Sequence, residues 1–180
     1  MTKIVLTFGL IAGAISAVLM WIMLGLYNSG TLNHDYGEIF GYTTMIISLS
    51  MVFFGIKSYR DNHGGKIGFW KGVQIGLLIS LIAAVCYATS WEVYYRTSGG
   101  NFLAEYSAHY IEKLKEKGAP AAEIEKTQRE FADFGEMYKN VLVRFPMTLL
   151  EILPVGIIVT LISAGLLRRR EMLPSEPVVV

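Results

Sequence analysis

Four nearly unbroken apolar blocks, residues 4–27, 39–56, 72–91 and 145–167, decide most of what this chain can become. They hold 24, 18, 20 and 23 residues. Crossing about 30 Å of hydrocarbon at 1.5 Å per residue takes roughly 20 apolar residues. In lipid every backbone amide must be paired within the structure, which leaves a helix or a closed barrel, and the roughly ten-residue alternation of barrel strands is absent. The blocks therefore read as four transmembrane helices in one all-α, polytopic integral membrane domain spanning residues 1–180. Only 17% of the residues are charged against 53% hydrophobic, which excludes a water-soluble domain of this size. A net charge of +1 excludes nucleic acid as a partner. The single cysteine, Cys86, sits inside the third block and can close no intrachain disulfide.

Lys3 before the first block has the look of a secretory signal. The block is longer than the roughly 7–15 residues of a signal core and no small-residue cleavage site follows Tyr27, so an uncleaved first span is expected. Orientation follows from the basic residues. The first connection, 28–38, has none and carries Asp35 and Glu38, whereas the second, 57–71, carries Lys57, Arg60, Lys66 and Lys71, and Arg168, Arg169 and Arg170 follow the last span. The positive-inside rule then puts both termini and the second connection in the cytoplasm. The long third connection, 92–144, goes outside. Trp21, Tyr27, Trp91, Tyr94 and Tyr95 would belt the outer boundary, and Tyr59, Phe69 and Trp70 the inner one.

The third connection alone has soluble character. Phe102, Tyr106, Tyr110 and Leu114 step by four along one helical face, with Glu105, Glu112, Lys113, Glu116 and Lys117 opposite. Gly118 stops that helix, and Ala119-Pro120 restarts a second whose apolar face is Ile124, Phe131, Phe134, Tyr138 and Val141. The pattern predicts an extracytoplasmic helical hairpin over about 102–144, with helices at 102–117 and 121–144 and a bend or fresh start at Phe145-Pro146. Two such helices bury too little to stand alone, so they must rest on each other, on the membrane surface or on a partner.

The second connection is an interfacial elbow: Lys57, Tyr59, Arg60, Asp61, Gly64, Gly65 and Lys66 combine turn composition with basic and aromatic anchors for anionic lipid. Its Gly-Gly pair lacks the spacing of a phosphate-binding loop. Gly41-Tyr42, Met45 and Ser48, then Phe54-Gly55-Ile56-Lys57, Tyr59-Arg60-Asp61, Gly64-Gly65, Ile67 and Phe69, resemble a domain-of-unknown-function family of bacterial four-helix membrane proteins. The Gly-stopped hairpin and a Glu early in the last span, Glu151, extend the resemblance over nearly the whole chain. It implies the bacterial inner membrane and this architecture, and no activity, ligand or catalytic residue.

No catalytic, metal or cofactor set is expected. His34, His63 and His109 fall in three connections on two sides of the membrane, each read as a solvated surface residue. Small residues recur every four positions at Gly72, Gly76, Ser80, Ala84 and Ala88, at Gly9, Gly13 and Ala17, and at Gly156, Thr160 and Ala164. These seams let helix backbones approach closely, either inside one bundle or between two copies. Glu151 is the one ionisable group well inside a span, about 9 Å below the boundary at Phe145, where it should face the bundle. Thr44, Ser48 and Tyr87 share that depth as hydroxyl partners, and Arg144, about 10 Å away, is a poorer one. The expected function is a non-enzymatic accessory or interaction subunit, with the lipid bilayer and either a membrane-protein partner or a second copy as its contacts. The alternative is a small-molecule or proton-coupled transporter using Glu151; a lipid-acting enzyme lacks a catalytic set.

Overall fold

The computed structural model of the chain describes residues 1–31, 37–98 and 101–168. His34, Asp35, Arg169, Arg170 and the side chain of Glu38, used above, lie outside the described residues. Six helices follow one another: α1 (Thr2–Asn28), α2 (Gly37–Asp61), α3 (Phe69–Thr97), α4 (Asn101–Glu116), α5 (Ala121–Tyr138) and α6 (Val141–Leu167). Among the described residues there is no strand. Helices α1, α2, α3 and α6 are long and apolar enough to cross a bilayer. Their outward faces carry Leu10, Val18, Ile22, Ile46, Ile47, Ile158 and Ile162 in the open. Exposed apolar surface on that scale belongs against lipid, which makes the chain a multi-pass membrane protein.

Small residues set the packing. A Cβ on Gly76 of α3 would stand 2.6 Å from Thr160 Cγ2 of α6, one on Gly156 would stand 2.8 Å from Ser80 Cβ, and one on Gly72 would stand 3.0 Å from Ala164 Cβ. The seams of α3 and α6 thus close on each other, antiparallel. Gly9 and Gly13 of α1 meet Ile82 and Cys86 of α3 in parallel register. Of the two uses open to the seams, these residues serve the internal one. The α2 residues Leu49, Val52 and Ile56 complete the core against Ile75 and Ile79 of α3 and Ile152 of α6. The start of α1, the end of α6 and the α2–α3 elbow consequently share one end of the bundle, and α4 and α5 occupy the other.

Three boundaries differ from the sequence reading. Lys57, Tyr59, Arg60 and Asp61 are not connection but the last turns of α2, held by Lys57 Nζ to Asp61 Oδ2 at 2.7 Å and Arg60 Nη2 to Asp61 Oδ1 at 2.9 Å. These charged pairs carry the helix past the end of its apolar block, so the elbow shrinks to the turn containing Gly64, Gly65 and Lys66. Both glycines take positive φ, +72° and +71°, a region other residues rarely enter. The second correction concerns α5, which stops at Tyr138 rather than at 144. Asn140 caps the next helix, its side chain accepting from Leu142 N at 3.0 Å. The third is that Phe145-Pro146 is not a fresh start: α6 begins at Val141 and Pro146 lies inside it. Its missing amide forfeits the bond to the Leu142 carbonyl, at a residue 79% exposed.

Helix α4 ends as predicted at Gly118, φ +73°, with Gly118 N and Ala119 N donating to the Lys115 and Leu114 carbonyls at 3.0 Å. Pro120 N-caps α5, where it needs no amide. Tyr106 and Tyr110 of α4 set their rings edge-on to Phe131 of α5.

Candidate functional site

Two carboxylates stand at the α4–α5 end, and the first is fully engaged. Arg144 reaches from α6 to Glu92 of α3 as a two-pronged pair, Nε to Oε1 and Nη2 to Oε2, both 2.7 Å. Its Nη1 donates to the Tyr138 carbonyl at 2.7 Å and the Lys139 carbonyl at 3.3 Å, so one guanidinium also caps the end of α5. The Arg144 Cζ lies 3.8 Å from the centre of the Tyr95 ring. Arg144 is 3% exposed and Glu92 9%, so this is a buried, fully hydrogen-bonded ion pair joining three helices. Beside it Trp91 Nε1 donates to the Tyr138 hydroxyl at 2.9 Å. Burial pushes the Tyr138 phenol above its usual range and keeps it a neutral acceptor. Sequence reasoning missed the pair. Its signal was there: Glu92 directly follows the third block and Arg144 directly precedes the fourth, two opposite charges at one end of the bundle.

Glu151 is placed differently. It lines a partly open cavity of about 590 Å³ bordered by residues of α1, α2, α3, α4 and α6, together with Thr44 and Tyr87. The carboxyl is accessible from that cavity, and among the described residues no hydrogen bond or ion pair reaches it. Thr44 and Tyr87 therefore share its cavity as their depth suggested. Ser48 does not: it is 1% exposed and its hydroxyl donates to the Met45 carbonyl of its own helix at 3.1 Å. Arg144 is committed to Glu92.

The roof of the cavity is α4. Phe102, Tyr106, His109, Tyr110, Lys113 and Lys117 recur at helical spacing and all line it. Lys113 and Lys117 were assigned to the solvated face opposite Tyr106 and Tyr110; they line the same cavity as those rings. His109, read as a surface residue, also lines the cavity. At the far end of the molecule His63 Nδ1 stands 2.8 Å from the Tyr59 carbonyl and stacks on the Tyr59 ring at 3.9 Å, closing the elbow. Arg60 is 1% exposed there, packed into the bundle end, while Trp70 and Lys66 are exposed beside it. No group of three or more His, Cys, Asp or Glu able to hold a metal occurs among the described residues.

A family model described as "Protein of unknown function (DUF4199)" matches residues 7–169, all four spanning helices and the α4–α5 pair between them. No curated protein and no solved structure matches the chain.

Proposed function

Because the chain belongs to the DUF4199 family of proteins of unknown function, we propose its function from the cavity itself: a non-enzymatic bacterial inner-membrane protein that binds a small amphiphilic molecule between α4 and the bundle. The observation that carries this reading is Glu151, an unpaired carboxyl accessible from a cavity of about 590 Å³ at intramembrane depth. Ionisable groups in spans are costly and mark ligand or ion paths, and a concave, mostly apolar pocket with a few converging polar groups is the usual form of a small-molecule site. Thr44 and Tyr87 supply those groups beside it.

The reading favours the solute-handling alternative over the accessory subunit. A partner helix has no seam left to use on α3 or α6, since Gly76, Gly156 and Gly72 are covered from within the chain. The basic residues of the elbow support termini in the cytoplasm, so the cavity opens toward the outer face. Access is the test. In a Cys86→Ser background, Thr44→Cys in nanodiscs should react with a water-soluble methanethiosulfonate, or with N-ethylmaleimide if entry is through lipid. A thiol inert to both means a closed cavity and ends the reading. On intact cells an impermeant thiol reagent should label Ser107→Cys and spare Asn62→Cys; the reverse pattern overturns the orientation.

A further inference from the structure

Resting on that cavity reading, we infer that the occupant is an organic cation, an ammonium or phosphonium whose apolar body lies among aromatic rings and whose charge meets the Glu151 carboxylate. Glu151 stands on the wall between two cavities, the one of about 590 Å³ and a second of about 390 Å³. Phe102 and Tyr106 line both, Tyr87 and Trp91 the first, Phe134 and Tyr138 the second. Aromatic faces attract cations through their quadrupole, most strongly when water is excluded, and rings grouped around an acid are the usual receptor for quaternary ammonium. An ionised carboxylate in such surroundings is costly until a cation joins it.

Among the described residues no hydrogen bond or ion pair joins Glu151 to a cation, although His109, Lys113 and Lys117 line the larger cavity. Arg144 is spent on Glu92. Lys113 and Lys117 line only the larger cavity, seven and eleven residues beyond Tyr106, or about 10 and 16 Å along α4. His109, one turn past Tyr106, also faces only the larger one. Pro154 lies four residues beyond Leu150 in α6 and has no amide to give the Leu150 carbonyl, so the turn that carries Glu151 offers a further acceptor and no donor in exchange. At the Glu151 end of the cavity, carboxylate, carbonyl and aromatic faces select positive charge over an anion of the same shape, while Lys113 and Lys117 stand at the other end.

Tetraphenylphosphonium and tetraphenylborate, near-identical in size and opposite in charge, separate the outcomes. Equilibrium dialysis of the full-length protein in detergent should show saturable binding of the phosphonium and none of the borate. Glu151→Gln should weaken it at least tenfold, and Tyr106→Leu, on α4 outside the four apolar helices, several-fold. Should Glu151→Gln fail to fold, the Tyr106→Leu value and the contrast between the two ions still decide the matter. Equal binding of both ions, binding of neither, or full affinity in Glu151→Gln overturns the cation assignment. If Thr44→Cys remains reactive in that event the cavity reading stands; if it is inert, both fail.

Discussion

Glu92 lies near the end of α3 and Glu151 in the third turn of α6, on helices that pack against each other along one seam. The first meets Arg144 through two bonds of 2.7 Å and is almost sealed from solvent; the second meets no donor among the described residues and opens on a cavity. The difference comes from which face of its helix each occupies. Glu92 points into the junction of α3, α5 and α6, where a wrong or missing partner would strand a charge. Glu151 instead lies on the wall of the cavity beneath α4, where no donor among the described residues reaches it. One acid is therefore read as architecture, and the other as a place for something else to bind.

Removing Arg144 is the strongest way to break this contrast. Arg144→Met should lose about 3–5 kcal/mol, because it leaves Glu92 buried and unpaired and uncaps the Tyr138 and Lys139 carbonyls. Glu92→Leu combined with Arg144→Met should recover much of that loss, since an apolar pair of similar volume often costs little. Unfolding in mixed micelles with SDS measures both; equal stability of Arg144→Met and the unaltered protein would show that the pair holds nothing. The seam beneath it is the next lever. Gly76→Val, whose Cβ would stand 2.6 Å from Thr160 Cγ2, should cost about 1–3 kcal/mol by overpacking, and a neutral result would mean that α3 and α6 adjust freely.

Asn140→Ala asks whether Arg144 is positioned by the cap of α6 or by Pro146. Loss of the side-chain bond to Leu142 N should lower stability by about 1 kcal/mol, whereas Pro146→Ala should be neutral or slightly stabilising. A larger loss from Pro146→Ala would restore the proline as the start of the helix. The smallest expected effect sharpens the comparison most. Glu151→Leu, with no hydrogen bond to lose, should change stability by no more than about 0.5 kcal/mol in either direction, measured in the same micelles. A loss comparable to that of Arg144→Met would make Glu151 a structural residue and remove the basis for a binding site.

Much of this arrangement was legible in the sequence. The four spans, the stop at Gly118, the restart at Pro120 and the small-residue seams follow from hydropathy, backbone pairing and turn chemistry, each of which acts over a few consecutive residues. Elsewhere the same local reasoning fell short by a turn or two. Lys57 and Asp61 extended α2 because an i to i+4 pair favours helix beyond the apolar block, and Asn140 outweighed Pro146 because a cap satisfies amides that a proline merely tolerates losing.

What the sequence by itself determined is the number and order of the helices, since lipid obliges each apolar run to satisfy its own backbone. What only the tertiary structure decided is which side chains meet: that Arg144 turns to Glu92, that Gly76 receives Thr160, that Ser48 is sealed while Thr44 and Tyr87 share a cavity with Glu151. Those outcomes depend on the rotation of one helix against another, and in an α-helix each residue turns the face by about 100°. Neighbours in sequence therefore point to different partners, and only the packed bundle selects among them.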